Sequence, residues 1–248
     1  METLGVIPAR YQSSRLAGKV LLEIAGKPLI QHVYERARKA KQLDDLWIAT
    51  DEPRVQRVAS SFGAKVVMTS PAHASGTDRV AEVVRKTKAK QVVNIQADEP
   101  LVAPAMVDLL VETLKGEPKE VGMATLCRPL RRLVDQKDLA NPHVVKVVMD
   151  LKGYAIYFSR SAIPFHRIPS SFRSPRYFKH LGFYAYRREF LLRLTAMEPT
   201  PLELSEGLEQ LRALENGEKI RVVVSPFDTI GVDTYEDLER VRRILEKH

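Results

Sequence analysis

Short apolar runs alternate with helical periods over the first half of the chain. The runs LGVIP, LWIAT, KVVM, QVVNIQ and GMATLC predict strands, with LWIAT and QVVNIQ expected to be buried, and apolar residues spaced three or four apart, as in residues 29–37, predict helices between them. We expect one helix to end at Gly63 and another to run from Pro104 to Leu114. This alternation predicts an α/β fold: a Rossmann-like, mostly parallel sheet with helices on both faces.

The pattern changes after about residue 140. The runs HVVKVVMD and GYAIYFS predict two adjacent strands around a turn at 151–153. Ten of the 16 Tyr and Phe residues fall between 154 and 186, which indicates either an inserted β-rich arm that packs on a second subunit or ordinary core. Segment 164–176, rich in Pro, Ser and Arg, is typical of a mobile loop. We therefore predict a single domain over 1–248, with 140–186 as a subregion.

The last third returns to alternating elements. LGFYAYRR predicts a strand, and two helices are expected at about 187–197 and 202–216, with Gly217 ending the second. KIRVVVS predicts a further strand, and the periodicity predicts a final helix from about residue 234.

The composition indicates the cellular compartment of the protein and the charge of its partners. No apolar run is long enough to cross a membrane, and the N-terminus lacks a signal-peptide pattern, so we expect a cytoplasmic protein. Cys127 is the only cysteine and lies in an apolar run, so we expect a buried thiol. The net charge of +8 favours anionic partners such as nucleotides, acidic sugars or nucleic acid. No block of five like charges occurs, so the sequence predicts no nucleic-acid-binding arm.

A basic loop, IPARYQSSRLAGK, follows the first predicted strand. Arg10, Arg15 and Lys19 stand there among small residues such as Ala9, which let backbone N–H groups approach a ligand closely. Cations beside a helix start suit a polyphosphate, although the same residues could form a solvated basic loop. The loop matches neither G-x-x-x-x-G-K-[ST] nor G-x-G-x-x-G.

Two carboxylates follow predicted strands. Asp98 comes directly after QVVNIQ, and Asp233 precedes the last helix. Ligands of parallel sheets bind beyond the carboxyl ends of the strands, where one or two carboxylates suit Mg²⁺. Asp233 could instead cap the last helix with Glu236, unless Thr234 is the cap. No H-E-x-x-H motif or Cys/His cluster predicts zinc.

Two further motifs keep a structural and a functional interpretation open. SGTDR, which contains Ser75, Thr77 and Arg79, is either a helix N-cap or a loop that recognises a base or sugar. His180, in FKHLGFY, is either structural or part of a site.

An ordered set of motifs runs nearly from end to end of the chain: IPARYQSSRLAGK, GKPLIQHVYERA, SGTDR, QADEP, NPHVVKVV, YFSRSAIP, HLGFYAYRR, PLELSEGLEQLR, GEKI and GVDTYEDLERVR. The set resembles the 3-deoxy-manno-octulosonate (KDO) cytidylyltransferase family, the CMP-KDO synthetases of lipopolysaccharide synthesis. The opening motif alone is shared with CMP-sialic acid synthetases. The resemblance implies that KDO attacks the α-phosphorus of CTP with the help of Mg²⁺, in a homodimer that takes no nucleic acid. It also implies that subregion 140–186 binds the sugar and forms the dimer.

The resemblance also implies a set of site residues. The triphosphate is expected at Arg10, Arg15 and Lys19, and Mg²⁺ at Asp98 and Asp233. The nucleotide side is expected at Ala9, Ser75 and Arg79. The sugar acid is expected at Gln96, Arg160, His180, Tyr184 and Glu209.

The sequence departs from the family pattern at two positions. Ala97 replaces the glycine of Q-G-D-E-P, so we expect an ordinary negative φ there, and Ala17 replaces the proline before Gly18. Neither change removes a charged group. Two other functions stay open: a cytidylyltransferase for sialic acid or 8-amino-KDO, and a non-catalytic basic RNA-binding α/β protein.

Overall fold

The computed structural model describes residues 1–12, 16–130, 135–167 and 177–246. Its strands are β1 (Thr3–Pro8), β2 (Glu23–Ile24), β3 (Lys27–Pro28), β4 (Asp45–Thr50), β5 (Lys65–Met68), β6 (Gln91–Asn94), β7 (Met123–Leu130), β8 (Lys146–Met149), β9 (Ala155–Ser159), β10 (Tyr177–Arg187) and β11 (Ile220–Val224). Its helices are α1 (Leu29–Ala37), α2 (Pro53–Ser61), α3 (Gly76–Arg85), α4 (Pro104–Gly116), α5 (Gln136–Ala140), α6 (Arg188–Leu194), α7 (Pro201–Glu206), α8 (Gln210–Glu215) and α9 (Tyr235–Leu245).

The main sheet has the strand order β11-β7-β10-β6-β1-β4-β5. Strand β1 pairs in parallel with β4 and β6, β4 with β5, and β7 with β11. This confirms the prediction of a mostly parallel sheet. The carboxyl ends of β1, β4, β6, β7 and β11 therefore meet at one edge.

Strand β10 runs antiparallel between β6 and β7. Its pairing with β7 shifts register between Leu181 and Tyr184, which marks a β-bulge. Strand β8 pairs antiparallel with β10 and with β9, so the two strands predicted around 151–153 form a hairpin at the side of the sheet. The end of subregion 140–186 is thus part of the central sheet.

Two hydrophobic cores cover the two faces of this sheet. Ile7 of β1 packs in one core with Met106 of α4 and Val241 of α9. Its neighbour Val6 packs in the other core with Val80 of α3. Since successive strand residues point to opposite faces, continuously apolar strands require helices on both sides.

Several element boundaries follow from local chemistry. Gly63 and Gly217 adopt positive φ after α2 and α8, as expected for residues that end helices. The helix expected over 202–216 was wrong as a single element, because Gly207 adopts φ +61° and separates α7 from α8. Ala97 is not among the positive-φ residues of the described chain, which confirms its expected conformation.

Within the described residues, no helix is both long and apolar enough to cross a membrane. Cys127 is buried in β7, as expected, and burial raises the pKa of its thiol to about 12. Most of the loop predicted over 164–176, namely 168–176, lies outside the described residues.

Candidate active site

Lys19 binds two carboxylates that are far away in sequence. Its Nζ lies 2.6 Å from Oδ2 of Asp98 and 2.8 Å from Oδ1 of Asp233. Asp98 follows β6, and Asp233 precedes α9. The backbone N–H of Val232 donates to the carbonyl oxygen of Asp98 at 2.9 Å, so the two loops are tied beside each other. The structure therefore brings three of the expected site residues together at the carboxyl edge of the sheet.

The ammonium group of Lys19 is stabilised in its charged form. Burial alone lowers its pKa, but attraction to Asp98 and hydrogen bonds to both carboxylates outweigh that effect and raise the pKa. The side chain of Lys19 is only 12% exposed. Lys19 therefore stays a cation at the site at neutral pH.

The backbone before Lys19 explains its position. Gly18 adopts φ +67°, and its N–H donates to the carbonyl oxygen of Tyr11 at 2.9 Å, which closes the basic loop. Lys19 then begins a short 3₁₀ helix, Lys19–Leu21. Arg15, which was expected at the triphosphate, lies outside the described residues.

Of the nucleotide-side residues, Ala9 follows β1, whereas Ser75 and Arg79 lie at the start of α3. Ala9 is fully buried, and Nη2 of Arg10 donates to the carbonyl oxygen of His73 at 3.3 Å. Arg79 is buried, donates to the hydroxyl of Thr69 and lies 3.3 Å from a carboxylate oxygen of Asp51. Burial lowers the pKa of Arg79, and Asp51 opposes that effect. These contacts hold the Arg79 side chain in place.

Ser75 is the N-cap of α3. Its hydroxyl accepts from the N–H of Asp78 at 3.1 Å, and the Asp78 carboxylate accepts from the N–H of Ser75, which forms a capping box. The structural interpretation of this motif is therefore confirmed, whereas its role in recognition stays a prediction. Thr234 caps α9 in the same way, with Asp237. The Asp233 side chain is thereby not the capping group, as one of the two sequence interpretations required, although its backbone N–H also donates to Asp237 at 3.2 Å.

A cleft of about 760 Å³ opens beside this edge. Its lining brings together the candidates for the sugar acid, namely Gln96, Arg160, His180, Tyr184 and Glu209. Asp233 also lines the cleft, whereas Ala9, Arg10, Lys19, Ser75, Arg79 and Asp98 do not. The cleft therefore meets the Lys19 cluster at Asp233.

His180 is held on β10 by a ring of contacts. Its Nε2 lies 2.9 Å from the hydroxyl oxygen of Thr125, and its ring packs on Phe158 and Tyr184 at centroid distances of 4.9 and 5.5 Å. Burial lowers the pKa of His180 to about 3, so the imidazole is neutral at pH 7. Burial also raises the pKa of Tyr184 well above its usual value, so its phenol stays protonated.

The other cleft candidates have internal partners as well. The amide nitrogen of Gln96 donates to the carbonyl oxygen of Gly182 at 2.9 Å, and the guanidinium of Arg160 donates to carbonyl oxygens of Glu206, Pro142 and Gly207. These contacts leave the amide oxygen of Gln96 available to a ligand. The hydrogen bonds of Arg160 connect the loop at Pro142 with the end of α7 at the rim of the cleft.

Glu209 lies at the start of α8. Burial raises the pKa of its carboxyl group, and a hydrogen bond with Thr77 opposes that rise. Since Thr77 belongs to α3, this contact joins the SGTDR motif to the cleft. The nucleotide-side and sugar-side candidates are therefore adjacent in space.

Sequence reasoning missed three charged residues here. Asp51, which pairs with Arg79, follows the buried strand β4, so the rule that selected Asp98 would have found it. Glu99 lines the cleft and accepts from the hydroxyl of Thr229; burial and the nearby Asp98 raise its pKa to about 8. Lys179 also lines the cleft and lies 3.1 Å from Asp228. No local pattern distinguishes Lys179 from surface lysines.

The donor set fits a hard divalent cation. Mg²⁺ is held in many enzymes by one or two carboxylates together with substrate phosphates and water, and Asp98 and Asp233 offer such a pair. In the described parts of the chain, no group of three or more His, Cys, Asp or Glu side chains could form a complete protein cage. A metal at this pair would therefore depend on oxygens of the substrate.

Comparisons with known proteins identify the family of this chain. A family model described as cytidylyltransferase matches residues 4–220. The 3-deoxy-manno-octulosonate cytidylyltransferase of Solibacter usitatus is 54% identical to this chain, and the match covers 98% of this chain and 94% of that protein. The 3-deoxy-manno-octulosonate cytidylyltransferase of Geobacter sulfurreducens is 49% identical, and the match covers 100% of this chain and 99% of that protein. A solved structure of CMP:2-keto-3-deoxy-manno-octonic acid synthetase complexed with CTP superposes with TM-score 0.92 at 43% identity, covering 100% of this chain and 99% of that one.

The parallel sheet with its cation and carboxylate cluster at the carboxyl edge is that of a nucleotidyltransferase. A glucose-1-phosphate thymidylyltransferase from Bacillus anthracis, at 15% identity and TM-score 0.67, shares the fold alone. More particularly, the chain belongs to the family of 3-deoxy-manno-octulosonate cytidylyltransferases.

Proposed function

We propose that this protein transfers CMP from CTP to the anomeric 2-hydroxyl of KDO, giving CMP-KDO and pyrophosphate for lipopolysaccharide synthesis. The observation that carries the proposal is the contact of Lys19 with both Asp98 and Asp233, since Asp233 also lines the cleft. A cation and two carboxylates at the mouth of a polar cleft suit a phosphate that reacts with a sugar. The names of the relatives indicate cytosine as the base of the nucleotide and KDO as the sugar acid.

The reaction is a direct displacement. The 2-hydroxyl oxygen of KDO forms a bond to the α-phosphorus as the bond from that phosphorus to the bridging oxygen of the β-phosphate breaks. The hydroxyl proton passes to solvent, and pyrophosphate leaves with the electron pair of the broken bond. No covalent enzyme intermediate is needed, so alignment and charge neutralisation supply the catalysis.

The basic loop provides the positive charge for this step. Lys19 reaches the α-phosphoryl group and the leaving pyrophosphate, and Arg10 binds the triphosphate beside it; Arg15 is proposed for the same role. Preorganised cations stabilise charge that develops in the transition state more than they stabilise the ground state. Ala9, Ser75 and Arg79 then lie on the side of the cytosine and ribose.

Asp98 and Asp233 are proposed to hold Mg²⁺ together with phosphate oxygens of CTP. When bound, Mg²⁺ would lower the pKa of the attacking hydroxyl and template the two substrates. The carboxylates themselves orient Lys19, because both accept from its ammonium group.

The cleft is proposed to bind the sugar acid. Gln96, His180, Tyr184 and Glu209 offer neutral polar groups and a buried carboxyl group for a polyol, and Arg160 offers positive charge at the rim.

Pyrophosphate release tests this function. The reaction contains CTP, Mg²⁺ and KDO, with sialic acid in place of KDO and ATP in place of CTP as parallel controls. We expect release only with CTP and KDO, and its loss on chelation of the metal. Release with another sugar acid would keep the mechanism and change the substrate.

A second candidate is a cytidylyltransferase for another 2-keto sugar acid, such as sialic acid or 8-amino-KDO. It is supported by the opening motif, which CMP-sialic acid synthetases share. The non-catalytic RNA-binding alternative rests on the charge of +8 alone. It requires a salt-dependent gel shift without pyrophosphate release.

We also propose that the protein acts as a cytoplasmic homodimer formed through the β8–β9 hairpin. Ile156 of β9 is 61% exposed and Leu204 of α7 is 70% exposed, and in the described chain β9 pairs with no strand other than β8. Light scattering of the purified protein measures the mass directly. Ile156→Lys should give a monomer, whereas Lys152→Glu in the exposed turn should not.

A further inference from the structure

Thr125 is an unusual residue for its place. It lies fully buried in the middle of β7, between apolar neighbours, and its partner residue on β10 is Tyr184 of the cleft. It is the one polar residue in the run GMATLC apart from the thiol of Cys127. Neither the motifs nor the catalytic scheme above uses it.

Three groups surround the single hydroxyl of Thr125. Its Oγ1 lies 2.8 Å from the carbonyl oxygen of Phe183, 3.3 Å from that of Leu181 and 2.9 Å from Nε2 of His180. Both carbonyl oxygens can only accept a hydrogen bond, and a hydroxyl has one proton to donate. The proton must point towards the carbonyl oxygens, because two oxygens 2.8 Å apart repel each other without a hydrogen between them.

The third contact then has a defined direction. With its proton donated to Phe183, the Thr125 oxygen can only accept from His180, so Nε2 of His180 carries the proton. The imidazole is neutral because burial lowers the pKa of His180 to about 3. A neutral imidazole holds one proton, so Nδ1 is a bare acceptor.

The bare nitrogen lies where a substrate can reach it. His180 lines the cleft. Within the described residues its Nδ1 has no hydrogen-bond partner. This atom is also absent from the set of solvent-inaccessible polar atoms without a partner, so it is open to the cleft. The ring cannot turn freely, since it packs edge-on against Phe158 and also packs on Tyr184. The cleft therefore contains an oriented acceptor.

We infer that Thr125 is a positioning residue that holds His180 as the Nε2–H tautomer, so that Nδ1 accepts a hydrogen bond from a hydroxyl group of the acceptor sugar. A carboxylate has no proton to donate and cannot bind this nitrogen. His180 thus selects a polyol hydroxyl, and the sugar carboxylate binds elsewhere in the cleft. The substrate part of this inference rests on the proposed function, whereas the tautomer part does not.

Thr125→Val removes the hydroxyl at nearly constant shape. The enclosed Nε2–H would then lack an acceptor, so the proton would move to Nδ1, where the cleft solvates it. The bare acceptor would be lost from the cleft. Thr125→Ser keeps the hydroxyl and should keep the tautomer. Thr3→Val is the matched control, because Thr3 is equally buried in β1 and its hydroxyl has no hydrogen-bond partner among the described residues.

The tautomer is read by nitrogen NMR of the free protein labelled at histidine. The chain has 6 histidines, and the His180 signals are identified by their loss in His180→Asn. We expect a protonated Nε2 and a bare Nδ1 in the wild type, Thr125→Ser and Thr3→Val, and a protonated Nδ1 in Thr125→Val. A protonated Nδ1 in the wild type overturns the inference.

Kinetics test the consequence for the substrate. We expect Thr125→Val to raise the KM for KDO about tenfold, with the KM for CTP changed less than about twofold, and Thr125→Ser to restore both. An unchanged KM for KDO in a folded Thr125→Val enzyme overturns the substrate part. If the wild type releases no pyrophosphate with KDO, the proposed function fails instead, and the nitrogen signals still decide the tautomer.

Discussion

The ammonium nitrogen of Lys19 lies 2.8 Å from a carboxylate oxygen of Asp233, although 214 residues separate the two in sequence. Asp98, the other partner of Lys19, follows the central strand β6. One cation thus connects the first loop, the middle of the sheet and the approach to the last helix. Its removal should affect chemistry more than folding, because the sheet itself does not depend on this contact.

Lys19→Met tests the role of the cation. The variant keeps the length of the side chain but leaves Asp98 and Asp233 facing each other without a positive charge. We expect kcat to fall about 10²–10³-fold, as when one preorganised donor is removed from other active sites. Lys27→Met is the control, since Lys27 forms a similar ion pair with the partly buried Glu35. Steady-state pyrophosphate release measures both, and unchanged kcat in Lys19→Met would contradict the assignment.

Asp98→Asn tests the proposed metal ligand. We expect kcat to fall about hundredfold or more while the dissociation constant for CTP changes less than about threefold, because the carboxylate acts on the reacting phosphorus rather than on the base. Asp108→Asn is a matched control, as its carboxylate accepts from the N–H of Gln42, away from the cleft. Titration calorimetry gives the affinity. Retained turnover in Asp98→Asn would remove Asp98 from the site.

Gly18→Ala should destabilise the closed basic loop. Gly18 adopts φ +67°, and a Cβ there would lie 3.0 Å from the ring of Tyr11. Gly26→Ala shares the strain of a positive φ, here +74°, but its Cβ would have no neighbour within 4 Å. We expect urea unfolding to show a loss of about 1 kcal/mol in Gly26→Ala and about 1 kcal/mol more in Gly18→Ala. Equal losses would mean that Tyr11 moves freely.

The free energy of unfolding should depend on pH through the carboxyl group of Glu82. Hydrogen bonds from Lys86, Ser70 and His73 lower the pKa of Glu82 to about 2, below its unfolded value of 4.5. A lowered folded pKa stabilises the protein above pH 4.5, and this stabilisation disappears as the pH falls towards 2.

We expect Glu82→Gln to cost about 1–2 kcal/mol at pH 7, after allowance for solvent screening, and progressively less between pH 4.5 and 2. Urea unfolding at a series of pH values measures this difference. Glu198→Gln, at an exposed position, should cost almost nothing at any of them. A difference that stays constant with pH would show that Glu82 acts by packing rather than by charge.

Cys127 should be inert in the folded protein. Burial raises the pKa of its thiol to about 12, so almost no thiolate forms at pH 8. We expect a chromogenic disulfide reagent to label no thiol in buffer and one thiol per chain in denaturant. Rapid labelling in buffer would indicate that β7 opens easily.

The fold could be predicted well where a local pattern decides it. The apolar runs of β1, β4 and β6 and the helical periods between them were recognised because burial on both faces requires continuous apolar strands. The run KVVM was recognised as β5 although this edge strand is only partly buried. The end of α2 at Gly63 and the cap of α9 at Thr234 follow from backbone chemistry that each residue carries itself. The break at Gly207 was missed, since a glycine inside a helical period is compatible with either continuation or a stop.

The sequence by itself thus determined the α/β class and the order of the elements, and an ordered set of motifs predicted a short list of candidate site residues. Only the tertiary structure decided that β10 enters the sheet antiparallel, that Lys19 joins Asp98 to Asp233, and that Thr125 contacts His180. Periodicity and capping act over a few residues, whereas these contacts depend on strand order and register. A residue's own neighbours in sequence carry no information about which distant strand will lie beside it.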